Sequence, residues 1–132
     1  MATVSATITL SSAAGDLTSN ALTLSGSNAI SCSETTGLAR MKVIKTAVHN
    51  DALVLYTASD YSAPAYIYIK NTDSTATDYI YVYDGTTTGD PVILKLAGGD
   101  WAFMPLNAGL TLKAYATTNP TIVEWMVFGA DA

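Results

Sequence analysis

The chain has 132 residues, enough for one domain that buries roughly two thirds of its unfolded surface without metal or disulfide. Its composition is 49% hydrophobic and 13% charged, poor in charge beside the roughly 25% of ordinary soluble domains. A formal net charge of −5 with six basic residues argues against nucleic acid, and a single cysteine, Cys32, excludes an intrachain disulfide.

Alternation at period two dominates the chain, with turn residues between the runs. Thr3 to Leu10 predicts the first strand, with Val4, Ala6, Ile8 and Leu10 on one side. SSAAGDLTSN reads as a loop. Ala21 to Ser25 is a short strand with Leu22 and Leu24 inward. SGSNAISCSETTG is loop-like, with one short strand expected around Ile30. Residues 1–36 are rich in Ser, Thr and Ala and read as an arm or looser edge segment of a single β domain over 1–132. MATVSATITLSS lacks a basic segment followed by a long apolar core, so no secretory signal is expected there.

Gly37 to Val48 fits a strand with Met41, Val43 and Lys45 on one face, or a short helix with Leu38, Met41 and Lys45 at helical spacing. Its Val and Ile content favours strand. Ala52 to Thr57 is a strand. Tyr66 to Lys70 and Tyr79 to Tyr83 are strands joined by NTDSTATD. Pro91 to Leu96, Trp101 to Pro105, Leu110 to Ala116 and Thr121 to Phe128 complete the series. DGTTTGD, AGGD, PLNAG and TTNP between them carry Gly, Asn, Asp or Pro, the residues that tight turns require. The expected fold class is all-β: an antiparallel β-sandwich or jelly-roll-like barrel of about eight to ten short strands. No apolar run approaches the roughly 18 residues of a membrane-spanning helix, so no membrane partner is expected.

A surface so poor in charge has two explanations. It is tiled with Thr, Ser, Ala and Tyr, or it is covered by neighbouring subunits. The tyrosines sharpen the question. Tyr66 and Tyr68 alternate with Ile67 and Ile69, while Tyr79, Tyr81 and Tyr83 alternate with Ile80 and Val82. If the aliphatic side faces the core, the five phenols share the opposite face. Pairing of the two runs as a hairpin would make them one cross-strand ladder. Such a ladder is plain sheet structure, a contact with another protein subunit, or a platform for sugars. Only Lys70 lies near to bind hydroxyls, which sets the sugar reading below the other two.

No reaction centre is expected. His49 is the only histidine, and no GxSxG nucleophile motif occurs. Cys32 lies in a Ser-rich stretch without a CxxC partner. Asp84, Asp90 and Asp100 flank glycines, which is a turn signal more than a calcium loop. Gly98 and Gly99 lack the spacing of a phosphate-binding loop. No cofactor or metal is implied. Trp101 and Trp125 sit in apolar strands, and at least one is expected in the core. Glu124 lies opposite Val123, Trp125 and Val127 and is expected to reach solvent, a neighbour or a lysine.

YIYIKNTDSTATDYIYVYDG, ILKLAGGDWAFMPL and LTLKAYATTNPTIVEWMVFG together resemble small virion structural proteins of tailed bacteriophages. In that group a YIKNT strand precedes an L..G..AF.P strand, an L.AYA strand and a final..VEY..F strand. Tyr68 to Thr72, Leu96 to Pro105, Leu112 to Ala116 and Val123 to Phe128 match these, with Trp125 where Tyr is common. The resemblance covers roughly residues 65–130. It implies a β-sandwich that decorates and cements a capsid surface, often as a homotrimer, with its own copies and the major capsid protein as partners. Tail, baseplate or head-fibre components are similar enough to stand as alternatives. A carbohydrate-binding module is the competing class.

Overall fold

The computed structural model describes residues 2–16, 18–43, 52–57, 60–85, 91–107 and 109–131. The chain divides into two compact units, Met1–Cys32 and Ser33–Ala132.

The first unit is a two-stranded ribbon. β1 (Ala2–Ser12) runs antiparallel to β2 (Leu22–Cys32), in register from Ala2 opposite Cys32 to Ser12 opposite Leu22. The loop-like reading of SGSNAISC is therefore corrected: the strand continues without a break through Ser25–Cys32. Ser, Gly and Asn have poor intrinsic strand preference, but the β1 backbone supplies a hydrogen-bonding partner along their whole length.

The second unit holds β3 (Glu34–Thr35), β4 (Ala39–Val43), β5 (Leu53–Tyr56), β6 (Tyr61–Asn71), β7 (Ile80–Asp84), β8 (Val92–Leu96), β9 (Trp101–Leu106), β10 (Leu112–Ala116) and β11 (Thr121–Asp131). Gly37 to Val48 is thus strand over Ala39–Val43, and residues 44–48 lie outside the described residues. β3 and β4 follow one another along the same edge of β11, with Gly37 at φ 69° between them. Side chains repair that interruption. The Thr35 hydroxyl donates to the Val127 carbonyl at 2.9 Å, and the Val127 N–H donates to Thr36 Oγ1 at 3.0 Å.

Two antiparallel sheets result. One has the order β4-β11-β6-β9, the other β5-β10-β7-β8. The pairs β4–β11, β5–β10, β6–β9 and β7–β8 are successive segments of one long two-stranded ribbon. Wound upon itself, such a ribbon is a jelly roll. The chain is all-β, and its second unit is an antiparallel β-sandwich. Alternate residues of each strand turn inward: Ile67 and Ile69 of β6, Ile80 and Val82 of β7, Val123 and Val127 of β11 are fully buried. Trp125 lies in this core and donates its indole N–H to the Leu55 carbonyl at 3.1 Å, tying β11 to β5 of the other sheet.

The topology overturns the expected tyrosine hairpin. β6 pairs with β11 and β9, whereas β7 pairs with β10 and β8. The two tyrosine-bearing strands belong to different sheets. Both sets of aliphatic residues do face the core, which sends the phenols outward on opposite sides of the sandwich.

Candidate functional site

The element that separates the tyrosines is the corner after β6, where NTDSTATD carries the chain from one sheet to the other. Asn71, with no exposed surface, ends β6 there. Its amide donates to the carbonyls of Asp78 at 2.7 Å and Leu96 at 3.1 Å. Its Oδ1 accepts from the Asp73 N–H at 3.0 Å and the Thr121 hydroxyl at 3.1 Å. Asn119 donates to both Asp78 carboxylate oxygens at 3.0 and 3.2 Å. Three crossings are thereby joined: β6 to β7, β8 to β9, and β10 to β11. The β8–β9 turn is closed by the Asp100 carboxylate accepting the Ala97 N–H at 2.9 Å, with Gly99 at φ 88°. A Cβ on Gly98 would lie 2.3 Å from the Thr75 carbonyl oxygen, so the turn and the corner loop touch at backbone level. Gly98, Gly99 and Asp100 are turn residues here.

On the outer face of the β4-β11-β6-β9 sheet, Tyr66 meets Phe103 and Phe128 at ring-centroid distances of 5.9 and 6.1 Å, and Phe103 meets Phe128 at 5.9 Å. The rings are nearly parallel and form one aromatic layer. Tyr68 is half-buried and donates its hydroxyl to Glu124 Oε1 at 3.3 Å. Arg40 Nε donates to Glu124 Oε2. Glu124 is buried and pairs with an arginine and a tyrosine, in place of the solvent or lysine expected. The arginine is in place because β4 sets Arg40 directly opposite Glu124 on β11. Along the same row Lys70 lies opposite Glu124, and Trp101 lies opposite Lys70. Trp101 is 53% exposed, so Trp125 alone of the two tryptophans belongs to the core.

Burial, and then the charge and hydrogen bond of Glu124, raise the Tyr68 phenol above its usual value; burial and then Asp60 do the same for Tyr56. A phenol whose folded pKa exceeds its unfolded value contributes stability that is complete below about pH 10 and is lost as pH rises through the folded value. Urea unfolding at about pH 8 to 11 is therefore expected to show falling stability at the alkaline end. Tyr68→Phe, with no proton to lose there, falls less steeply; an equally steep fall would remove the ascribed role of Glu124.

On the outer face of the β5-β10-β7-β8 sheet, Tyr81 stacks on Tyr115 at 5.3 Å, Tyr83 meets Tyr115 edge-on at 5.6 Å, and Tyr79 meets Tyr81 edge-on at 6.4 Å. Lys95 places its ammonium 4.0 Å from the Tyr79 ring centroid, a cation–π contact. Tyr79 and Tyr81 are half-buried. Tyr83 is only 1% exposed and offers almost no surface to a partner as the chain stands. Val54, Val92 and Ile93, on strands of this sheet, are exposed.

Tyr115, Phe103 and Phe128 were not among the residues expected at a contact. Tyr115 had a readable signal, since in LTLKAYA it alternates with Leu112, Ala114 and Ala116, all buried. Phe103 lies outward by the same parity from Ala102 and Met104. Phe128 falls on the side of Glu124, opposite Val127, by the same alternation.

His49 and Asp90 lie outside the described residues. Cys32 is buried with its thiol 3.7 Å from the Ile30 carbonyl. Asp84 is buried at the end of β7. Among the described residues no three of His, Cys, Asp and Glu gather as a metal site, and no helix is long and apolar enough to cross a membrane. The chemistry that the outer faces offer is ring stacking, apolar contact and a few cations, of which Arg40 is paired with Glu124 and Lys95 lies over the Tyr79 ring. Comparison with protein-family models, curated proteins and solved structures finds no match.

Proposed function

We propose that this chain is a virion structural protein of the capsid decoration, or cement, type. It holds a head lattice together through protein–protein contacts, as a homotrimer bound to the major capsid protein on the capsid surface. The observation that carries this reading is the placement of aromatic layers on both outer faces of one charge-poor sandwich. A single aromatic face serves one partner; two opposed faces suit a block that bridges two. Half-buried tyrosines are enriched at interfaces because the ring gains contact area while the hydroxyl keeps a polar partner. Jelly rolls recur in capsid domains, which supports the reading by fold analogy alone. The resemblance over residues 65–130 points the same way. Modest contacts repeated over a lattice give firm retention through multivalency.

The test is co-sedimentation of the purified chain with empty shells made from the major capsid protein encoded in the same genome. Saturable binding is expected. Tyr81→Lys is expected to weaken it by at least about tenfold while leaving thermal unfolding near that of the unaltered chain. A chain that stays in the supernatant contradicts the proposal. A carbohydrate-binding module is the second reading, favoured by the exposed Trp101 beside Lys70. Glycan-array binding that is lost in Trp101→Ala would select it instead.

A further inference from the structure

The outer face of the β4-β11-β6-β9 sheet carries a polar row at the end nearer the NTDSTATD corner. Arg40 on β4, Glu124 on β11, Lys70 on β6 and Trp101 on β9 lie opposite one another in turn, so their side chains leave the same side. Arg40 gives Nε to Glu124 and still has 67% of its side chain exposed. Closer to the corner, Lys42 lies opposite Ile122, and both are exposed. Beside them a hollow of about 300 Å³ is lined by Lys42, Ile122, Thr72, Asp73, Pro120 and Thr121. Asp73 is half-buried there, and its carboxylate accepts the Thr75 N–H at 2.8 Å. Among the described residues neither Lys42 nor Lys70 has an ion pair.

We infer that this face binds an acidic polysaccharide, laid across the strands from Trp101 towards Arg40 and Lys42. The exposed indole stacks on the apolar side of one sugar ring, and the lysines take carboxylate or sulfate groups of the chain. Neighbouring strands are about 4.8 Å apart, close to the length of one pyranose unit, so successive sugars meet successive strands. Trp101 and Arg40 are three such spacings apart, about 14 Å. Charge selects an anion. Glu124 is neutralised by Arg40, which leaves Lys42 and Lys70 in excess on the row. Repulsion from the rest of this acidic chain is screened beyond about 10 Å at 0.1 M salt. Asp73 selects a sugar over an acidic peptide. Its carboxylate accepts sugar hydroxyls, whereas it repels a run of Asp or Glu. The inference rests on the carbohydrate reading of Trp101. It is separate from the capsid reading, since Tyr81 lies on the opposite outer face.

Proton–nitrogen correlation NMR on the full chain tests it, because the two tryptophans give one indole signal each. The probes are oligogalacturonate, a heparin oligosaccharide, a neutral cello-oligosaccharide and poly-glutamate. The Trp101 signal is expected to move saturably with at least one of the two acidic sugars, and which one names the acid group. The Trp125 signal, held on the Leu55 carbonyl, is expected to stay. Read on the Lys70 amide, Trp101→Ala is expected to weaken binding at least about tenfold. Lys70→Gln is expected to weaken it about fivefold and to lessen its salt dependence, with Lys70→Arg restoring both. A Trp101 signal unmoved by both acidic sugars, or moved as far by poly-glutamate, would overturn the inference. Equal binding of the neutral chain would also overturn it, while keeping the carbohydrate reading on which it rests.

Discussion

Asn71→Leu is expected to lower the free energy of unfolding by about 4 kcal/mol. The two side chains are similar in size, so the loss comes from polar groups and not from a cavity. Leucine leaves the carbonyls of Asp78 and Leu96 without the donor they share, in a site with no solvent exposure at Asn71. Each orphaned buried group costs about 1–3 kcal/mol. The Thr121 hydroxyl can turn to another acceptor, and the Asp73 N–H is nearer water, so the two carbonyls account for most of the effect. Urea unfolding is the measurement: the midpoint falls while the slope stays the same. A loss below about 1 kcal/mol would mean that the corner holds without its asparagine.

Trp125→Ala is expected to cost a similar amount, about 4 kcal/mol. The indole fills core between the sheets, and its loss leaves a cavity and an unpartnered Leu55 carbonyl. Trp101→Ala is the matched control. With 53% of its surface exposed, Trp101 should cost about 0.5 kcal/mol or less. Equal losses in the two variants would contradict the assignment of core and surface.

The local pattern of the second unit was legible because burial and period-two alternation coincide there. Ile67, Ile69, Ile80 and Val82 are inward as their spacing requires, and β5 and β7 to β10 fall close to where alternating runs and turn residues place them, whereas β6 begins at Tyr61, five residues before the expected Tyr66, and β11 runs past Phe128 to Asp131. Pairing was less legible. NTDSTATD has the composition of a hairpin loop, and nothing local distinguishes a turn within one sheet from a corner between two. The distinction is made by Asn71, which besides Asp73 and Asp78 of its own loop holds the Leu96 carbonyl of β8 and the Thr121 hydroxyl of β11, both distant in sequence. The ion pair of Glu124 was hidden for the same reason, since it depends on the register of β4 against β11. In the ribbon, β2 forms through a partner strand and against its own residue preferences.

The aromatic residues thus form two layers, not one ladder. Tyr66 and Tyr68 share a face with Phe103 and Phe128, while Tyr79, Tyr81 and Tyr83 share the other with Tyr115. For a bracing protein that division is useful, because each face can hold a different neighbour. The most direct measurement is the temperature at which empty capsid shells come apart, with and without saturating chain. Shells carrying the chain should disassemble at a higher temperature, and Tyr81→Lys at the same concentration should remove most of the gain. Shells that bind the chain yet come apart at an unchanged temperature would contradict a cementing role.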